Sequence, residues 1–271
     1  MVVWKKGQAL LLLWSVCSPV CAGRIVYDII EIPKGKVTAV LRSCMDRRDA
    51  WVLILDRIGY REAFELQKRL VVARSRNKIN DTLILLQHHP VFTANRESTF
   101  QHILAPADVL AREGIEVCKT DRGGDVTYHG PGQITGYLII DLKQYGKDLH
   151  AYIRNVEQLL IDALAEFGIK CGRDKQHPGV WVGHEKIAAI GIAVKSGWIT
   201  MHGFALNVNP NMDHYKMIIA CGIFDKGVTS MERQLQRTVA LEEVYPKLIA
   251  QYEKIFKVTT HPITLEDLQW L

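Results

Sequence analysis

The sequence predicts one α/β domain, a mixed β-sheet with flanking helices. Three observations carry that expectation. The 271 residues are 48% hydrophobic and 23% charged, an ordinary globular profile with enough apolar residues for one large domain. Short apolar runs of strand length outnumber the long amphipathic stretches. The strands do not alternate regularly with long helices, which argues against a doubly wound nucleotide fold. No repeat, low-complexity tract or linker follows residue 50. Residues 50–271 therefore read as a single domain and residues 1–49 as an N-terminal extension.

The elements follow in order. WVLILDR, from Trp51, reads as a short strand. YREAFELQKRLVVARSR carries apolar residues at helical spacing, among them Ala63, Phe64, Leu70 and Val71. Thr82 to Gln87, with Leu83 to Leu86 apolar, reads as a buried strand that ends before Pro90. PADVLAREG reads as a brief helix, with Pro106 in its first turn and Gly114 at its exit. IEVCK is a short strand that feeds a polar, glycine-rich loop, and ITGYLIIDL leaves that loop as another strand. The clearest helix is DLHAYIRNVEQLLIDALAEFG. Asp148 caps it, Gly168 ends it, and Leu149, Tyr152, Ile153, Val156, Leu160, Ala163, Leu164 and Phe167 form one stripe. KIAAIGIAV and WITMHGFALNVN read as strands joined by a turn at Lys195-Ser196-Gly197. A last helix through VYPKLIAQYEKIF should kink or start near Pro246.

Charge and cysteine content narrow the function classes. The net charge is +5, but residues 1–49 hold eight Lys/Arg against four Asp/Glu and so account for most of it. The remaining body is close to neutral and has no basic block, which argues against nucleic acid as a partner. The six cysteines, Cys17, Cys21, Cys44, Cys118, Cys171 and Cys221, show no paired CxxC spacing for zinc and no disulfide framework. Free thiols in a reducing compartment are the default. The first residues, MVVWKKGQALLLLWSVCSPVCAG, superficially resemble an export signal. The apolar run is too short and interrupted to span a membrane comfortably. An export signal, a targeting or disordered extension, and sequence upstream of the true start all stay open on the residues alone.

Three stretches carry chemistry. RGGDVTYHGPGQITGY, from Arg122, combines bare backbone with polar side chains. Gly123 and Gly124 let backbone approach a ligand where a Cβ would clash. Arg122 is a fixed cation, and His129 can donate, accept or shuttle a proton near neutral pH. The stretch fits neither phosphate-cradling glycine pattern; its bland reading is a sheet-edge loop. GVWVGHEKIAAIGIAV sets Lys186 at the head of an apolar strand. MIIACGIFDKGVTSM sets Cys221 between Ala220 and Gly222, a sterically open position for a thiol. An ammonium beside a cysteine favours thiolate, the nucleophilic form. A buried structural cysteine and a solvated strand-end lysine are the competing readings, and both stay open on the residues alone.

RGGDVTYHGPGQ closely resembles the signature of the lipoyl(octanoyl) transferase family. KIAAIGIAV and the HGFALNVN…ACGI arrangement resemble that family's second and third motifs, in the same order. The resemblance runs over roughly residues 51 to 257. Asp125 departs mildly from it, standing where an uncharged polar residue is frequent. The resemblance implies the fold of the biotin and lipoate ligase catalytic domain. It also implies transfer of an octanoyl group from acyl carrier protein, through a cysteine thioester, to a lysine of lipoyl domains. Those acceptors belong to 2-oxoacid dehydrogenases or to the H protein of glycine cleavage.

Carried over by position, Cys221 is the acyl-thioester nucleophile and Lys186 the residue that lowers its pKa or takes its proton. Arg122, Gly123, Gly124, Asp125, Val126, Thr127, Tyr128 and His129 form one wall of the acyl site. Ala189, Ile190 and Gly191, with Gly203, Phe204 and Ala205, form the others. No cofactor, metal, nucleic acid or membrane is implied. The compartment expected is the bacterial cytoplasm, or the mitochondrial matrix in a eukaryote. Three alternatives are an ATP-dependent lipoate or biotin ligase, a non-catalytic protein that binds lipoyl domains, and a zinc hydrolase using His129, His202, His214 and Cys221.

Overall fold

Strand β4, Asp81–His88, sends successive side chains to opposite faces, as a pleated strand must. Leu83 and Leu85 enter one apolar core, and Ile84 and Leu86 enter another. A strand buried on both faces belongs in the middle of a layered α/β structure, and β4 lies there. The computed structural model describes residues 4–5, 8–9, 47–195, 197–222 and 226–270; of residues 4, 5, 8, 9 and 221 it describes the backbone alone. Contacts divide the chain into Met1–Asp46 and Arg47–Leu271. In the first unit Trp4–Lys5 (β1) pairs antiparallel with Gln8–Ala9 (β2). The rest of the extension, with Cys17, Cys21 and Cys44, lies outside the described residues.

In the second unit β3 (Arg48–Ile58) leads into α1 (Tyr60–Ser75), then β4, β5 (Val91–Ala94), α2 (Ala107–Arg112), β6 (Glu116–Lys119), β7 (Thr127–His129) and β8 (Gln133–Ile139). Next come α3 (Leu149–Ala165), β9 (Gly172–Arg173), β10 (Gly179–Val182), β11 (Glu185–Lys195) and β12 (Ile199–Asn207). The chain closes with β13 (Gly227–Val228), α4 (Met231–Leu235), α5 (Leu241–Phe256) and β14 (Val258–Ile263). The main sheet has the order β14-β3-β4-β8-β12-β11-β10-β9, with β13 beside β11. It is mixed, as expected: β14, β3 and β4 run parallel, and the pairs from β4 to β9 are antiparallel. A second sheet, β6-β5-β7, is separate.

The layers follow from side-chain periodicity. Helices α3 and α5 cover one face of the main sheet, where Tyr152, Val156, Leu160, Leu248, Tyr252 and Phe256 pack with Val52, Leu85 and Leu138. Helix α1 covers the other through Ala63, Leu66 and Leu70, against Leu53, Ile84 and Tyr137. The caps of α3 match the sequence. The Asp148 carboxylate accepts from Ala151 N at 3.0 Å, and Gly168 takes φ +78° three residues past Ala165.

Four expectations need correction. Of the two expectations for α5, a start near Pro246 is the one overturned: the helix starts at Leu241 and carries Pro246 inside it, because the Glu243 carboxylate reaches back to Ala240 N at 3.0 Å and starts the helix earlier. Pro106 is the N-cap of α2 and not part of its first turn. Thr127–His129, read as loop, pairs as strand β7 with β5. The sheet begins at Arg48, which pairs with Val258, so Arg48 and Asp49 belong to the domain and not to the extension. Of the expected turn at Lys195-Ser196-Gly197, Ser196 lies outside the described residues.

Glycines set the spacing at the centre of the main sheet. Gly191 on β11 faces Gly203 on β12, and Phe204 faces Gly136 on β8. A Cβ on Gly136 would lie 2.2 Å from the Phe204 ring, and one on Gly203 would lie 2.2 Å from the Gly136 carbonyl oxygen. A strand backbone held on both sides cannot yield as a side chain can. Gly203→Ala is therefore expected to destabilise the fold by about 3 kcal/mol, read from urea unfolding midpoints. A stability equal to that of the unmodified chain would contradict this packing.

Candidate active site

The loop that opens with Arg122 docks its backbone on strand β11. Gly123 N–H donates to Ile192 O at 3.0 Å, and a Cβ on Gly191 would lie 2.9 Å from Gly123 O and from Arg122 Cδ. Only glycine at 191 allows that approach. The guanidinium of Arg122 is buried and fixed, donating to Thr93 O at 2.8 Å, to Thr93 Oγ1 at 3.0 Å and to Gly123 O at 3.1 Å. Asn95 Nδ2 in turn donates to Arg122 O at 3.1 Å. The density of glycine and polar groups thus has a physical reason. The backbone lies against a strand, and the polar side chains hold it there.

Two cavities adjoin this loop. One is a narrow slot of about 40 Å³ lined on its sides by the Arg122 loop, by Ala189–Gly191 and by Gly203–Ala205. The other is a groove of about 400 Å³, mostly apolar, between Gly123–Asp125, Leu149 and Ile153 of α3, and Lys186 with Ile190–Ile192 of β11. Only the groove has the size of an ordinary small-molecule site. Gly124, Asp125, Ile190 and Gly191 line both.

Of the expected wall residues, Val126 and Tyr128 do not face either cavity. Strand alternation sends Thr127 and His129 to the slot and Tyr128 the other way. Val126 and Tyr128 pack instead with Phe92 and Ile218 in the small-sheet core. The sequence reading missed Thr135, Tyr137 and His202, which also line the slot. Their signal was present: Thr135 and Tyr137 alternate on β8, and His202 precedes the glycine of HGFA on β12.

Lys186 sits where three strands meet. On β11 it pairs with Trp181 of β10 beside an irregularity in the register, and with Val228 of β13. It is 7% exposed and lines the groove. Gly179, at φ +134°, makes room for its stem: a Cβ there would meet Lys186 Cε at 3.4 Å. The ammonium lies 4.8 Å from the centre of the Trp181 ring, which also carries Lys226 at 4.7 Å, and Lys226 is ion-paired with Asp174. Such cation–π contacts hold an ammonium in place without neutralising it.

Cys221 is the middle residue of a one-turn 3₁₀ helix, Ala220–Gly222; its side chain lies outside the described residues. The backbone just before this turn is tied down, and the chain is tied again further on. Ile219 N–H donates to His102 O at 2.8 Å, and Thr229 N–H donates to Lys186 O at 3.0 Å. Gly222, at φ +66°, lies against the Arg122 loop, where a Cβ would come within 2.8 Å of Asp125 Oδ2. The other two described cysteines are unsuited to attack. Burial pushes the thiols of Cys118 and Cys171 up to about 11, with Glu116 adding to the effect at Cys118.

The histidines of the slot are held neutral. Burial holds His129 well below the ordinary imidazole value, helped by His88 and Arg122. Its Nδ1–H donates to Gln133 Oε1 at 2.8 Å. His202 is lowered chiefly by burial, which outweighs the pull of Asp121, whose carboxylate accepts from Nε2 at 2.7 Å. Its left-handed φ of 66° costs roughly 1 kcal/mol. That bond and a 2.8 Å bond from its N–H to Gln67 Oε1 hold it there. Beneath the slot His88 is fully buried. Its Nδ1–H donates to Ile58 O at 3.0 Å, so Nε2 accepts from the Tyr137 hydroxyl at 2.7 Å. His214 pairs with Asn211 and Glu113, away from the slot. Among the described residues no three ligand-type side chains gather for a metal.

Comparison with known proteins follows this geometry. A family model described as the lipoyl protein ligase A/B catalytic domain matches residues 59–253. An octanoyltransferase of Caldicellulosiruptor saccharolyticus is 48% identical over 220 residues, covering 80% of this chain and 93% of that protein. One from Desulforamulus reducens is 43% identical over 207 residues, covering 76% and 90%. Among solved structures, a putative lipoate protein ligase from T. acidophilum superposes with a TM-score of 0.61 at 15% identity, covering 80% of this chain and 88% of that one. That likeness shows the fold alone, and it is the fold expected.

His88 gives a pH prediction. Burial lowers its pKa from 6.5 to about 4. The unfolded chain then binds the proton more readily than the folded one, so stability is lost as pH falls from 6.5 toward 4. The loss from this group is about 3 kcal/mol. Urea unfolding at pH 7 and pH 4.5 should show a clearly smaller pH dependence in His88→Gln than in the unmodified chain. Equal slopes would contradict the assignment of His88 as a buried neutral imidazole.

Proposed function

Since the chain belongs to the lipoyl protein ligase A/B catalytic family, we propose that it moves an octanoyl group through a thioester on Cys221. The protein is an acyltransferase of the octanoyltransferase group. The donor is octanoyl-acyl carrier protein, and the acceptor is a lysine of a lipoyl domain, in a 2-oxoacid dehydrogenase or the H protein of glycine cleavage. The reaction belongs to the bacterial cytoplasm. Among the described residues no helix is long and apolar enough to cross a membrane.

One observation carries the reading. The turn that holds Cys221 rests against Asp125 of the Arg122 loop, and the chain beyond it returns to Lys186 through β13; Asp125 and Lys186 both line the apolar groove. In the first half-reaction the Cys221 sulfur attacks the donor carbonyl. A new C–S bond forms as the donor's C–S bond breaks, and the departing thiolate takes up the proton that Cys221 gave up. In the second, the acceptor amine attacks: a C–N bond forms, the C–S bond to Cys221 breaks, and the thiol is restored. Exchange between thioesters is close to isoenergetic and amide formation runs downhill, so no ATP is consumed. The groove has room for an eight-carbon chain, and the slot admits only its end. The ATP-dependent alternative shares the family model and the fold, but the similar relatives named octanoyltransferase favour the transferase.

Cys221→Ala and Cys221→Ser should abolish octanoylation of an isolated lipoyl domain, followed by the domain's mass. Cys118→Ala and Cys171→Ala should keep it. Full activity in Cys221→Ala would end the proposal.

Lys186 is proposed to hold the Cys221 sulfur as thiolate by its positive charge. Lys186→Ala removes the ammonium; Lys186→Arg keeps a cation but misplaces it and cannot serve as a neutral base. Both should lose transfer by on the order of a hundredfold. With the other cysteines replaced, the pH midpoint of Cys221 alkylation should rise in Lys186→Ala toward that of an ordinary thiol. An unmoved midpoint would remove Lys186 as the thiol's electrostatic activator.

A further inference from the structure

We propose that Asp125, held by His102, is the subsite that receives the ammonium of the acceptor lysine. This rests on the octanoyl-transfer reading and adds where the second substrate binds. The charge inventory of the two cavities is the starting point. Among the described residues that line them, Arg122 and Lys186 are the fixed cations. His129 and His202 are held neutral by burial. Among the described residues Asp125 is the sole carboxylate lining either cavity, and it lines both. A lysine arrives as a cation and must come to the thioester between two like charges. One carboxylate offsets that repulsion, and it stands where the two cavities meet.

Its placement fits that task. Asp125 Oδ1 is committed to structure, accepting from Val126 N and from His102 Nδ1 at 2.9 Å. Oδ2 accepts no hydrogen bond among the described residues. It points at Gly222, so close that a Cβ there would lie 2.8 Å away. The open oxygen therefore borders the turn next to Cys221. His102 ties the two parts together: its ring donates to the carboxylate, and its carbonyl accepts from Ile219 N at 2.8 Å. His102 is thus a positioning residue, and Asp125 is the binding group. The pair is only partly buried, so a solvated ammonium can reach it.

The test uses the full chain after acylation by octanoyl-acyl carrier protein. Two nucleophiles then discharge the octanoyl-enzyme in single turnovers: a lipoyl domain with its lysine, and hydroxylamine, which is uncharged near neutral pH. In Asp125→Asn, transfer to lysine should fall at least about tenfold further than acylation or hydroxylamine release falls, the scale of one charge-assisted hydrogen bond. His102→Gln keeps the carboxylate and loosens it, and should give a smaller shift in the same direction. It also keeps the question answerable if Asp125→Asn does not fold. Equal losses for both nucleophiles, or an unchanged lysine rate, would overturn the proposal. Failure of the unmodified chain to take up octanoyl would instead overturn the transfer reading beneath it.

Discussion

The site depends on one close approach, that of the Arg122–Gly124 backbone to strand β11. Gly123 donates to Ile192 O at 3.0 Å, and Gly191 leaves no room for a Cβ. That contact buries Arg122 and brings Asp125 to the junction of slot and groove. It also gives the turn Ala220–Gly222 a surface to rest on. Each piece comes from a different part of the chain. The main sheet supplies β11 and β12, the small sheet supplies β7, and the return through β13 brings the chain after Cys221 back to Lys186.

Burial then decides which groups carry charge. The same desolvation that keeps His88, His129 and His202 neutral raises the thiols of Cys118 and Cys171. Lys186 is buried too, where Gly179 makes room for its stem and the Trp181 ring lies 4.8 Å from its nitrogen. The slot sets neutral, hydrogen-bonded imidazoles beside the fixed charge of Arg122 and the carboxylate of Asp125, and the groove holds Asp125 and Lys186.

Much of this was legible in the residues. Helix α3 announced itself through Asp148, Gly168 and one apolar stripe, because caps and period agreed. Helix α5 was misplaced at its start because Pro246 is a louder signal than the reach of the Glu243 side chain. The loop Arg122–His129 borders both cavities, yet a contiguous motif does not say which way each side chain points. Period 2 on β7 removed Tyr128 from the wall, and the same period on β8 and β12 added Thr135, Tyr137 and His202. His102 was invisible for another reason. It stands in no motif, and only tertiary structure brings it to Asp125 and Ile219.

The account turns on a covalent octanoyl-enzyme at Cys221 formed without ATP. The most direct measurement is the intact mass of the full chain after mixing with octanoyl-acyl carrier protein alone, followed by peptide mapping. The predicted result is one added octanoyl group, on the peptide containing Cys221, discharged when a lipoyl domain is supplied. No adduct under these conditions, with modification of the lipoyl domain appearing only on addition of free octanoate and ATP, would contradict it.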